Sequence, residues 1–111
     1  MQLLLMNSTL LTNSGIFVIK KITLSEAKKL FLQYQGNYIS AIGHASTASL
    51  ISQLLNENIK PNRIRVRQKL YQKALCFKIY ERIPESVHLT EEELKNLDYD
   101  FFSMERIGEY N

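Results

Sequence analysis

The sequence predicts a single α/β (α+β) domain over residues 1–111, a mixed sheet of about five strands with helices packed on it. Three observations carry that expectation. Leu3-Leu4-Leu5-Met6 is an unbroken apolar run, the pattern of a buried strand. Apolar residues recur at helical spacing in two separate stretches, Ala27, Leu30, Phe31 and then Leu50, Ile51, Leu54, Leu55. Strand-like runs lie between and beyond these stretches, so strands and helices are interleaved along the chain.

The elements follow in order. Asn7–Gly15 is rich in Asn, Ser and Thr and ends in Gly, which marks a polar loop. Ile16–Ile22 reads as a second strand. Ser25 is expected to cap a helix over Glu26–Gln33, which Gly36-Asn37 ends. Tyr38–Ile42 is a short extended segment, and Gly43 turns the chain. Ser46 or Thr47 is expected to cap the next helix, which runs to about Asn56. Past Pro61-Asn62, Arg and aliphatic residues alternate over Arg63–Gln68, which predicts a strand. A turn near Tyr71–Lys73 and a longer strand over Ala74–Ile83 complete a hairpin. Thr90 and Glu93 have capping-box spacing for a short helix ending near Leu97. Asp98–Ile107, with Phe101 and Phe102, reads as the last strand.

Length and composition narrow the function classes. At 111 residues and 45% hydrophobic content the chain makes one small core, so a cleft shared between two copies is expected. The formal net charge of +3 suits an anionic partner but is too small for wrapping long nucleic acid. Cys76 is the only cysteine, which excludes an intramolecular disulfide and a cysteine-based zinc site. It lies in an apolar run, as a packed residue does. Met1–Met6 is too short for a membrane span and lacks the basic start of a signal peptide, so a cytoplasmic protein is expected.

Chemistry concentrates in two places. Gly43-His44-Ala45-Ser46-Thr47 sets an imidazole and two hydroxyls at a helix start, where free N–H groups and the helix dipole attract anions. A histidine there can act as a general acid on a leaving oxygen. On the plainer reading Ser46 only caps the helix and His44 faces solvent. The second place is Arg63-Ile64-Arg65-Val66-Arg67, whose guanidiniums share one face if the segment is a strand. Lys78 and Arg82 are evenly spaced on the expected partner strand, and coincident faces would form an anion site. On the plainer reading the stretch is a solvated face, and that reading is favoured for Arg65 and Arg67. Asn7, Ser8, Thr9, Thr12 and Asn13 offer groups to a base or ribose, or simply solvate their loop. The two histidines, His44 and His88, pair with no nearby carboxylates, so neither a metal nor a cofactor is expected.

Three segments in order carry a resemblance. These are the first strand followed by Asn7, the segment Ala41–Thr47, and Lys60-Pro61-Asn62-Arg63 with the later Glu81-Arg82-Ile83-Pro84-Glu85. The chain resembles the viral anti-CRISPR ring nucleases of type III immunity. Their motif runs isoleucine-glycine-histidine-aspartate-serine-threonine. The resemblance implies a homodimer that closes over cyclic tetra-adenylate and cuts it, without metal, to linear di-adenylates bearing a 2′,3′-cyclic phosphate. It implies His44 as general acid and the substrate's own 2′-hydroxyl as nucleophile. Arg63 and Arg82 match phosphate-holding arginines, Glu85 a glutamate near the site, and Asn7, Ser46 and Thr47 ligand-binding positions. Ala45, Lys78 and Leu10 depart from the usual aspartate, glutamine and serine. Two other functions remain open: a non-catalytic binder that sequesters the cyclic nucleotide, and a small basic DNA-binding regulator.

Overall fold

The computed structural model describes residues 1–83 and 88–109. Five strands form one sheet: β1 (Leu3–Asn7), β2 (Ile16–Ile22), β3 (Tyr38–Ser40), β4 (Lys73–Ile79) and β5 (Tyr99–Gly108). Three helices accompany them: α1 (Leu24–Gln33), α2 (Ala45–Leu55) and α3 (Glu91–Lys95). The strand order is β2-β5-β4-β1-β3. β1 runs parallel to both neighbours, with Leu3 opposite Tyr38 and Leu5 opposite Leu75. β5 runs antiparallel to β4 and β2. The sheet is therefore mixed, and the α+β class expected of the sequence is the one found.

Strand alternation divides the core into two layers. Leu3 and Leu5 of β1 and Leu75 and Phe77 of β4 face the helices, where they meet Ala27 and Phe31 of α1 and Leu50, Ile51, Leu54 and Leu55 of α2. Leu4, Met6, Ala74, Cys76 and Met104 form a smaller cluster on the other face, joined by Val66 and Phe102. Burial of Cys76 pushes its thiol up to about 12, since a thiolate there would be stranded in apolar surroundings. Among the described residues no helix is long and apolar enough to cross a membrane.

Two local expectations need correction. The cap of α1 is Thr23, not Ser25. Its hydroxyl accepts from the Glu26 N–H while the Glu26 carboxylate accepts from the Thr23 N–H, a closed capping box. Those hydrogen bonds, led by the one from the Thr23 backbone, hold the Glu26 carboxyl below its ordinary range. The cap of α2 is His44, not Ser46 or Thr47, and its side chain makes no capping hydrogen bond. α3 has the capping box expected of Thr90 and Glu93.

The largest correction concerns Arg63–Gln68, which forms no strand and no hairpin. Both edges of β4 are already occupied, by β1 on one side and β5 on the other. The segment instead crosses the second face as an irregular arm, with Val66 packed onto the smaller cluster. Lys78 and Arg82 therefore belong to no shared basic ladder with it. β4 also ends at Ile79 rather than Ile83, although the Tyr80 N–H still reaches the Asp98 carbonyl at 2.9 Å.

Cys76 gives a direct check on the second layer. At pH 8 a thiol titrating near 12 is ionised in only about one molecule in 10⁴. The folded protein should therefore react with a disulfide reagent far more slowly than free cysteine, and fully once unfolded in guanidinium. Rapid labelling of the folded chain would show that the arm does not seal this face.

Candidate functional site

β1, β3 and β4 are parallel, so their carboxyl ends gather at one edge of the sheet. In open sheets of this kind ligands bind beyond those ends. Here Asn7 is the last residue of β1, and Ser8 turns sharply away at φ 103°, a left-handed conformation that strains a non-glycine residue. The Ser8 N–H is held by the Phe77 carbonyl at 2.8 Å. β3 runs on through Ala41 and Gly43 into the start of α2. At that edge Asn7, Ala41, Gly43, His44, Arg63, Ile64 and Arg65 line a cavity of about 570 Å³.

The wall that carries Gly43 and His44 is braced from outside. The Asn62 N–H donates to the Ile42 carbonyl at 2.7 Å, and its side-chain amide donates to the Ser40 carbonyl at 2.9 Å. Ser40 Oγ donates to the Lys60 carbonyl at 2.8 Å. Arg63 then folds back so that Nε donates to the Gly43 carbonyl at 3.0 Å. A Cβ added at Gly43 would approach the Arg63 side chain to 3.3 Å, so glycine leaves room for that guanidinium.

α2 begins here without a side-chain cap, unlike α1 and α3. Its first-turn N–H groups and the positive end of its dipole remain available to an anion. His44 is exposed at the cavity rim. A second cavity of about 640 Å³ adjoins the first and shares Asn7, Ala41, Ile64 and Arg65 with it. Met6, Leu10, Leu11, Thr12, Val66 and Arg67 complete its lining. No carboxylate among the described residues lines either cavity. Among the described residues, Arg63, Arg65 and Arg67 take part in no ion pair. Three guanidiniums, an imidazole and an open helix start thus converge with no counter-charge among the described residues, an arrangement suited to phosphate.

The residues singled out from sequence divide accordingly. Asn7, His44 and Arg63 meet at one cavity. Ser46 and Thr47 sit in the first turn of α2, with Thr47 turned into the core, and neither lines the cavity. Arg82 is exposed beyond the end of β4 and lines neither cavity. Glu85 lies outside the described residues. Sequence reasoning undervalued Arg65, which borders both cavities even though it is exposed. It also missed Leu10 and Leu11 as cavity wall. Strand periodicity concealed Arg65, because it made Arg65 and Arg67 look alike as residues of a solvated face.

The comparisons agree with this architecture. YddF of Bacillus subtilis (strain 168) is 42% identical over 107 residues, covering 96% of this chain and 99% of its own. ORF117 of Acidianus two-tailed virus is 29% identical over 92 residues, covering 82% and 79%. The solved structure of B116 of Sulfolobus turreted icosahedral virus superposes with a TM-score of 0.83 at 25% identity, covering 95% of this chain and 99% of its own. The family described as STIV B116-like matches residues 3–101. With sequence and fold matching along almost its whole length, this chain belongs to the STIV B116-like family.

Proposed function

We propose that the protein is a metal-independent ring nuclease that cleaves cyclic tetra-adenylate to linear di-adenylates, the activity implied by the resemblance of Ala41–Thr47. The observation that carries this reading is His44 at the uncapped start of α2, on a cavity lined by Arg63 and Arg65 and, among the described residues, by no carboxylate. The ribose 2′-hydroxyl loses its proton to solvent water as it attacks the adjacent phosphorus, the bond to the 5′-oxygen breaks, and protonated His44 donates the proton that the leaving oxygen needs. The product carries a 2′,3′-cyclic phosphate. Arg63 and the first-turn N–H groups of α2 neutralise the phosphate as its charge builds. In-line attack by a neighbouring hydroxyl needs alignment and charge neutralisation more than an added nucleophile.

A ring with four phosphates exceeds one such cavity, so the active form is a homodimer presenting two copies of His44 to one ring. Relatives in archaeal viruses and in a bacterium favour a role in viruses or mobile elements that counters type III CRISPR signalling. One observation favours a second reading, a binder that sequesters the ring without cutting it. Among the described residues nothing hydrogen-bonds the His44 imidazole, and Ala45 supplies no acid beside it.

Incubation with cyclic tetra-adenylate and excess chelator separates the two readings. The nuclease releases di-adenylate, whereas tight binding without product leaves the sequestering reading, and no binding removes both. His44→Ala should lower the cleavage rate by about 10²–10⁴-fold, the usual worth of a positioned general acid, with affinity held within a few-fold. Cleavage that survives this change would show that His44 is not the acid.

Arg63→Ala should weaken ring binding by about tenfold at low salt, with the loss shrinking as ionic strength rises. A salt-independent loss would mean that Arg63 matters only through its bond to Gly43.

A further inference from the structure

The arm and the first loop form the roof of the larger cavity, yet no sheet hydrogen bonds join them. The Asn62 N–H is bound to Ile42 and the Ile64 N–H to the Asn62 carbonyl, both at the near end of the arm. The next main-chain bond is made by the Tyr71 N–H to the Arg106 carbonyl, at 2.6 Å. Between them the chain carries Arg65 and Arg67 past the cavity and is fastened only where it leaves that cavity, at Gln68 and the adjoining Lys69.

Gln68 sits where three segments cross. Its N–H donates to Thr12 Oγ1 at 2.9 Å and to Asn13 Oδ1 at 3.3 Å, and its carbonyl accepts from Asn13 Nδ2 at 3.1 Å. The Thr12 hydroxyl donates to Asn13 Oδ1 at 2.6 Å. The Gln68 side chain, 1% exposed, donates through Nε2 to the carbonyls of Gln72 and Met104 at 2.7 and 2.8 Å. Gln72, 5% exposed, extends the chain of contacts by accepting from the Lys69 N–H and donating to the Gln2 carbonyl. The Gln68 Oε1 is buried with no partner. A buried acceptor left unpaired opposes folding, so a side chain that only filled space would be better apolar. An amide belongs here because one nitrogen with two hydrogens satisfies two inward-facing carbonyls at once.

We infer that Gln68 and Asn13 are positioning residues that hold the first loop and the arginine arm at the separation that shapes the cavity beside His44. What fills the cavity rests on the ring-nuclease reading; the fastening does not. Thr12 and Asn13 spend their hydrogen bonds on the arm. The loop therefore presents to the cavity the apolar side chains of Leu10 and Leu11, which are 64% and 61% exposed. Asn13 itself does not line the cavity, so its removal loosens the roof without deleting a wall.

The test uses the full chain and two readouts. By amide hydrogen exchange, Asn13→Ala removes both its bonds to Gln68, of which Thr12 still serves the N–H, and should speed exchange in residues 8–14 and 63–68 by about tenfold while leaving β4 unchanged. With cyclic tetra-adenylate, KM should rise by about tenfold and kcat stay within about twofold, because His44 stands on α2 and does not move. Asn13→Asp keeps the acceptor for the Gln68 N–H and should recover part of both losses. Gln68→Met should show the larger loosening; if it fails to fold, the Asn13 pair still decides. Unchanged exchange in loop and arm, or faster exchange that spreads equally into β4, overturns the proposal. A wild-type protein that binds no ring defeats the functional reading alone, since the exchange result stands without it.

Discussion

Leu3, Leu4, Leu5 and Met6 are all buried, alternately against the helices and against the opposite face. Side chains of this size are worth about 1.5–3 kcal/mol each when taken out of water, so the run strongly favours a place inside the sheet. Both its neighbours, β3 and β4, lie parallel to it. Parallel strands end at the same edge, and that single consequence assembles the site. Asn7 leaves β1 there, the chain after β3 turns there into α2, and the 570 Å³ cavity opens between them.

Two-sided burial also creates a demand that the helices do not meet. They cover one face, leaving Leu4, Met6, Ala74, Cys76 and Met104 to be sealed by something else. The arm supplies that cover through Val66, but an irregular segment brings main-chain groups that no ladder satisfies. Gln68, Gln72, Thr12 and Asn13 answer that need with side-chain partners. The arginines of the arm then project at the cavity because the arm is tied down at Asn62 and at Gln68, with little between.

Much of this was legible in the chain itself. The strands at Leu3, Ile16 and Asp98 and the stripe of α2 follow from periodicity, which is a local property. The capping box at Thr90 was read correctly. The identical spacing at Thr23 and Glu26 was passed over, because Ser25 offered a nearer hydroxyl. The arm was misread because strict alternation marks a strand only when an edge is free to receive it, and edge occupancy is decided by β1 and β5, far away in sequence. The site was legible in part. His44, Asn7 and Arg63 line one cavity, and it is the family resemblance, not local periodicity, that groups them in the sequence. Arg65 could not be separated from Arg67 without knowing where the arm passes.

The start of α2 forgoes a stabilising cap that the other two helices have. An N-cap hydrogen bond is worth about 0.5–2 kcal/mol, and α1 and α3 both secure one with a threonine followed three residues later by glutamate. At the same two positions α2 has His44 and Thr47, with Thr47 turned inward. A glutamate there would close the helix start and bring a negative charge beside Arg63. Without it, no described residue neutralises the N–H groups and guanidiniums around the cavity, which is the configuration the proposed phosphate ligand would stabilise. Catalysis gains from interactions that strengthen as charge develops on the reacting group, and groups held ready without an internal partner supply that difference. On the proposed function, the missing cap at His44 and a wall that holds no carboxylate among its described residues are two expressions of one constraint.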